Sequence, residues 1–156
     1  MVKKYVFDCY AGSLPYLVEK ASVYIRLRGS LLLNEFGVDL SVEQFTTLDA
    51  IATNPHICQR DLAKIVLKDR SNVSRILNIL EDKDLIKRVT SSKQNRVVKM
   101  IEMTQKGREL LDSIAPKMKD DMNNFLQNFD ESKLDYMKET LTAMIKKISE
   151  NANIQI

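Results

Sequence analysis

The stretch from Gln59 to Thr104 changes its hydrophobic period partway along, and that change leaves few folds open to the chain. Gln59 to Val66 sets Leu62, Ala63 and Val66 on one face of a short helix. After Leu67-Lys68-Asp69, a second helix opens at Arg70 or Ser71. Along it Val73, Ile76, Leu77 and Leu80 recur at spacings of 3, 1 and 3, a single apolar stripe. Beyond Asp84 the helical spacing ends. Leu85-Ile86-Lys87-Arg88-Val89 is short, β-branched and basic; a polar tip from Thr90 to Arg96 follows, then a second strand-like run from Val97 to Met103. Two helices joined by so short a turn follow the helix-turn-helix plan, and two strands around a polar tip form a hairpin. The expected fold is mainly α: a winged helix-turn-helix with a two-stranded wing.

The side chains off the apolar stripe set the chemistry. Ser71, Asn72, Ser74, Arg75 and Asn78 both donate and accept hydrogen bonds, which is what base edges in a major groove require. Charge is distributed to match. The chain carries a net charge of only +3, but His56 to Thr104 holds 11 Lys and Arg against 6 Asp and Glu, a net +5. The rest of the chain holds 13 basic against 15 acidic residues, a net −2. A positive region coinciding with the helix-turn-helix and wing is the electrostatic footprint of a phosphate-backbone partner.

The flanking segments read as helices with apolar faces of their own. Met1 to Gly12 is weakly patterned, but Tyr5, Phe7 and Tyr10 are too many aromatics for a wholly unpacked tail. Ser13 is an N-cap with Pro15 in the first turn, and the helix it opens closes at Phe36-Gly37. Ser41-Val42-Glu43-Gln44 is a capping box, and its helix stops before Asn54-Pro55. After the wing, Thr104 caps a long helix carrying Leu111, Ile114, Met118, Met122 and Phe125, with Pro116 expected to bend it. A last helix carries Leu134, Met137, Leu141, Met144 and Ile148, and the tail from Asn151 is expected to fray. A winged helix cannot cover all of these faces. Residues 1–40 and 105–156 are therefore expected to form a helical dimerisation region around a DNA-binding region at 41–104, in one intertwined domain and a homodimer.

Several phrases here resemble the MarR family of bacterial transcription regulators. They are Gln59-Arg60-Asp61-Leu62-Ala63, Asp69-Arg70-Ser71-Asn72-Val73-Ser74-Arg75, and Glu81-Asp82-Lys83-Asp84-Leu85-Ile86-Lys87-Arg88, with Met103-Thr104-Gln105-Lys106-Gly107 closing the wing as the family's Leu-Thr-x-x-Gly does. The order and spacing of these phrases carry the resemblance, which extends over nearly the whole chain. Two positions depart from the pattern. Asp84 stands where the family usually has Gly, and the wing tip reads Gln94-Asn95-Arg96 without the family's acid, Arg96 lying one residue further from Thr104 than the usual wing arginine.

The resemblance implies a DNA-binding repressor that holds a pseudo-palindromic operator as a homodimer, paired through its N- and C-terminal helices. It also implies release by a small aromatic or lipophilic effector. The recognition helix enters the major groove and the wing reaches the adjacent backbone or minor groove. Arg75, Asn72, Ser71, Ser74 and Asn78 are the candidate base readers. Arg70, Lys64, Lys68, Lys87, Arg88 and Lys93 are candidate phosphate contacts, and Arg96 is the minor-groove candidate. Two other readings compete: a winged helix that binds protein, and a regulator that senses oxidants through cysteine. Cys58 at the start of the first motif helix is the relevant thiol, since a helix N-terminus favours thiolate; the expectation here is that DNA binding is largely insensitive to oxidation. An enzyme is not expected. His56 is the sole histidine, two cysteines make neither a metal motif nor a disulfide framework, and there is no nucleotide loop. No cofactor, metal or membrane span is expected, and the N-terminus lacks the apolar core of a signal peptide, so the cytoplasm is the expected compartment.

Overall fold

Local capping chemistry sets most of the helix boundaries. The computed structural model describes residues 10–93 and 96–152, with side chains described for 10–90 and 99–150. These residues fall into two compact units, one ending at Phe45 and the other beginning at Thr46.

In the first unit, Ser13 accepts a hydrogen bond from the Tyr16 N–H and opens α1, Leu14–Glu35. Tyr10 stacks edge-on against Tyr16 with ring centroids 5.7 Å apart and donates its hydroxyl to Glu19 at 2.9 Å, so one of the three expected aromatics does pack. Tyr5 and Phe7 lie outside the described residues. Gly37 closes α1 at φ +69°, in the left-handed region that glycine enters without a steric cost. Its N–H bonds to the Asn34 carbonyl and the Val38 N–H reaches back to Leu33, the paired bonds of a Schellman ending. The capping box forms in full: the Gln44 N–H donates to Ser41 Oγ and the Ser41 N–H to Gln44 Oε1.

That box opens α2, Val42–Thr53, which carries the chain into the second unit. There β1 (Ile57–Cys58), α3 (Gln59–Ile65), α4 (Arg70–Asp82), β2 (Ile86–Lys93), β3 (Arg96–Met103), α5 (Gln105–Leu126) and α6 (Glu131–Ala152) follow in order. Its core is made of Leu48, Ile51, Ile57, Leu62, Val73, Ile76, Leu77, Leu80, Leu85, Ile86, Ile101, Leu111 and Ile114, all buried. These include the apolar stripe of the second motif helix, as its spacing requires.

The sheet is larger than the two-stranded wing read from the sequence. It has three antiparallel strands in the order β1-β3-β2. Ile57 and Cys58 pair with Ile101 and Met100, adding a strand too short to show a period. The ribbon of β2 and β3 runs from Ile86↔Met103 to Lys93↔Arg96, so Thr90 to Lys93 are strand rather than tip. Backbone pairing needs no apolar side chain, so polar residues extend the ladder as well as β-branched ones. Residues 94–95 of the expected tip lie outside the described residues. In α5, Thr104 accepts from the Gly107 N–H as the expected cap, and the helix runs unbroken past Pro116. Asp130 stands ahead of α6 and accepts from the Lys133 N–H. The Ser132 hydroxyl and that N–H hold its carboxyl below the usual range. The last helix persists through Ala152, past the residue where fraying was expected.

Candidate nucleic-acid interface

The geometry of the interface starts with how α3 stops. Val66 ends it, and Leu67 takes φ +54°. The Leu67 N–H bonds to Lys64 and the Lys68 N–H to Ala63, another Schellman ending but with leucine in the place glycine fills most readily. Asp69 then turns the chain into α4, its carboxylate accepting the Asn72 N–H at 2.8 Å. That bond, reinforced by the Ser71 N–H, holds the Asp69 carboxyl below its usual range against the opposing effect of desolvation. Gln59 at the start of α3 donates its amide to the Arg70 carbonyl at 3.1 Å, tying the two helix starts together.

With Val73, Ile76, Leu77 and Leu80 buried, the opposite face of α4 is turned outward. Arg70, Ser71, Arg75 and Asn78 are exposed, and Asn72 and Ser74 are half-buried. Arg75 donates to Asn72 Oδ1 at 2.9 Å, and Asn72 in turn sits over Asp69. The helix ends at Lys83 with a third Schellman pair, Asp84 to Glu81 and Leu85 to Leu80, and Asp84 takes φ +58°. This is the position where a glycine was the usual family residue; an aspartate side chain tolerates the left-handed region better than most.

A tight junction locks this helix end to the rest of the motif. Thr104 donates its hydroxyl to the Asp84 carbonyl at 2.7 Å and its N–H to Leu85, while Lys106 Nζ reaches the Lys83 carbonyl at 2.8 Å. Gly107 lies beneath: a Cβ there would come within 2.2 Å of the Leu85 carbonyl oxygen. The glycine that closes the wing in the sequence is therefore demanded by a backbone–backbone approach.

The basic residues divide by what they touch. Lys64 is exposed and Lys68 half-buried beside the turn. Lys87 is exposed and lies 3.1 Å from Glu102, its cross-strand partner. Glu102 also faces His56 at 3.1 Å, and its carboxyl is held below the usual range by Lys87 first and by His56 after it. Arg88, one of the phosphate candidates, has its guanidinium turned onto α4: NH1 lies 2.8 Å from Glu81 Oε2 and NH2 donates to Asn78 Oδ1 at 2.7 Å. Sequence spacing held no signal for this, because the partners lie seven and ten residues away on another element. Lys93 and Arg96 form the last pair of the wing ladder, and their side chains lie outside those described.

Cys58 occupies the N-cap position of α3 without capping it. Its half-buried thiol donates instead to Asp61 Oδ2 at 3.1 Å, and this bond is the foremost reason the Asp61 carboxyl falls below the usual range. Among the described residues no group of three His, Cys, Asp or Glu side chains is placed to hold a metal ion, and no helix is long and apolar enough to cross a membrane.

Known proteins share this arrangement. The MarR family model matches residues 38–96. The chain is 26% identical over 114 residues, 73% of each protein, to the uncharacterized HTH-type transcriptional regulator YybA of Bacillus subtilis (strain 168). Among solved structures, the S. aureus MepR–DNA complex superposes with a TM-score of 0.77 at 25% identity, covering 87% of this chain and 96% of that one. MepR in its DNA-binding conformation gives 0.73 at 27% identity, over 87% and 98%. Streptococcus pneumoniae FabT in complex with DNA shares the fold, with a TM-score of 0.68 at 24% identity over 87% and 94%.

Proposed function

Because this chain belongs to the MarR family of winged helix-turn-helix transcription regulators, we propose that it acts as a repressor, binding a pseudo-palindromic operator as a homodimer in the cytoplasm. The observation that carries the reading is the two-faced recognition helix. Four apolar residues of α4 are buried, while Arg70, Ser71, Arg75 and Asn78 stand exposed on the other side. A helix presenting its N-terminal polar side chains outward is the geometry that enters a major groove. Arg75 and Ser71, with Ser74, Asn72 and Asn78 behind them, read base edges. Arg70, Lys64, Lys68, Lys87 and Lys93 neutralise phosphates, and Arg96 at the wing reaches the minor groove. The relatives support the partner: MepR and FabT are proteins solved with DNA.

Homodimerisation is supported by apolar surface. In α1, Leu14, Leu17, Ile25, Leu27 and Leu31 are each more than half exposed, as are Met137, Ile145 and Ile148 in α6. Exposed apolar residues in such numbers on each of these helices support the reading that each pairs with a second copy. Release by a small aromatic or lipophilic effector rests on the family resemblance alone.

The experiment compares two substitutions on DNA selected from a random pool. Arg75→Ala removes a base reader and is expected to cost about 1–3 kcal/mol of discrimination while leaving salt-dependent binding to random DNA largely intact. Lys87→Ala is expected to weaken both kinds of binding alike and to make the salt slope shallower by about one. Indistinguishable behaviour of the two variants would refute the assignment, and a wild-type chain that enriches no sequence at all would refute the function.

A further inference from the structure

We propose that Arg88 is a positioning residue rather than a DNA contact: it holds Asn78 with its amide donors outward, so that the recognition helix prefers guanine over adenine at the base pair Asn78 faces. This inference rests on the DNA-binding function above and names a specificity within it.

A guanidinium carries five N–H donors and accepts nothing. The Asn78 amide atom that lies 2.7 Å from Arg88 NH2 is therefore its oxygen, whichever way the amide is otherwise drawn. Arg88 is held in place from its other side. NH1 lies 2.8 Å from Glu81 Oε2, and the Arg88 backbone N–H donates to Glu81 Oε1 at 3.1 Å, so one carboxylate grips both the main chain and the side chain of the residue. A side chain 25% exposed and held by charge-assisted bonds on two residues of α4 is not available to a phosphate without breaking them.

The consequence falls on Asn78. Asparagine reads adenine through a bidentate pair, its oxygen accepting from N6 and its nitrogen donating to N7. Here the oxygen already serves a cation, and the positive field beside its remaining lone pair repels the amino donor of adenine. The amide nitrogen is left as the reading end. It has only hydrogens to offer, and guanine presents two acceptors in the major groove, O6 and N7, with no donor beside them. The other asparagine of the helix follows the same rule. Asn72 turns its oxygen to Arg75 at 2.9 Å and its nitrogen towards Asp69, which orients the arginine and withdraws a second acceptor from the outer face.

The test selects double-stranded DNA from a random pool with the wild-type chain, Asn78→Ala and Arg88→Ala, and measures the affinity of each selected sequence across salt concentrations. Asn78 is exposed, so its truncation leaves the fold intact and marks the position it reads: preference there is expected to fall roughly ten-fold, from guanine to no preference. In Arg88→Ala, confirmed as folded by circular dichroism, the freed oxygen is expected to shift that position towards adenine with the salt slope unchanged. If Arg88→Ala does not fold, Arg88→Met, which keeps the apolar stem and lacks the donors, takes its place with the same expected shift. An A·T pair, in either orientation, at the marked position in the wild-type selection would overturn the proposal, as would an Asn78→Ala motif identical to wild type. So would an Arg88→Ala protein that keeps the wild-type motif while its salt slope falls by about one, the mark of a lost phosphate contact. Enrichment of a motif in any of these cases leaves the DNA-binding function standing; enrichment of none removes both.

Discussion

Helices α4 and α1 treat their apolar residues in opposite ways. In the 13 residues of α4 the apolar stripe is narrow, and none of Val73, Ile76, Leu77 and Leu80 is more than 3% exposed. In the 22 residues of α1 only Gly29 and Leu33 are buried, while Leu31 is 69% exposed and Leu27 56%. The difference is not one of hydrophobicity but of who supplies the cover. The stripe of α4 meets partners within its own unit: α3 before it and the wing after it. The apolar residues of α1 are more numerous and spread round more of the helix, and a single chain leaves them in water. One region is complete within its own unit; the other, on the proposed function, is completed by a second copy of the chain. In the proposed homodimer, DNA readout belongs to the complete region and pairing to the incomplete one.

Breaking the incomplete region should have the largest effect on function. Leu17→Glu combined with Leu31→Glu sets two charges on the exposed apolar face of α1 and is expected to yield a monomer in sedimentation at micromolar concentration. Affinity for a two-half-site operator should fall by about 100-fold or more, because the second half-site no longer binds as part of the same particle. The thermal transition of the winged half should survive. A variant that still sediments as a dimer would show that α1 is not the surface that pairs.

Breaking the complete region should do the reverse. Leu77 is wholly buried, and Leu77→Ala is expected to cost about 2–5 kcal/mol of folding stability. For a chain of this size that lowers the melting midpoint by roughly 2–4 °C per kcal/mol, read by circular dichroism or calorimetry. A loss well below that range would mean that the core of α4 is looser than its burial implies.

The smallest expected effect lies in the backbone. All three Schellman endings use a left-handed residue, but only Gly37 is one that enters that region freely. Leu67 is 69% exposed and has little packing to lose, so Leu67→Gly is expected to stabilise the chain by up to about 1 kcal/mol, the relieved strain being partly offset by a more flexible unfolded state. Asp84→Gly should act in the same direction by less, since aspartate suffers less at positive φ. A destabilised Leu67→Gly, measured by chemical denaturation, would show that the leucine side chain supports the turn in a way its exposure does not reveal.

Features that depend on neighbours three or four residues away were legible in the chain alone. The caps at Ser13, Ser41 and Thr104 were legible because the donor and acceptor lie within one turn. The stripe of α4 was legible because burial on one side of a helix imposes a period on the chain. Only the tertiary structure could decide pairings between residues far apart in the chain. Ile57 and Cys58 became a strand because the edge of β3 was available to them, not through any pattern of their own. Gly107 is required by the Leu85 carbonyl, twenty-two residues back in the chain, and Arg88 is turned from solvent to α4 by Glu81 and Asn78. A basic residue on a strand reads the same in sequence whether it faces a phosphate or a carboxylate. The direction of its side chain is set by the charge that folding brings within 3 Å.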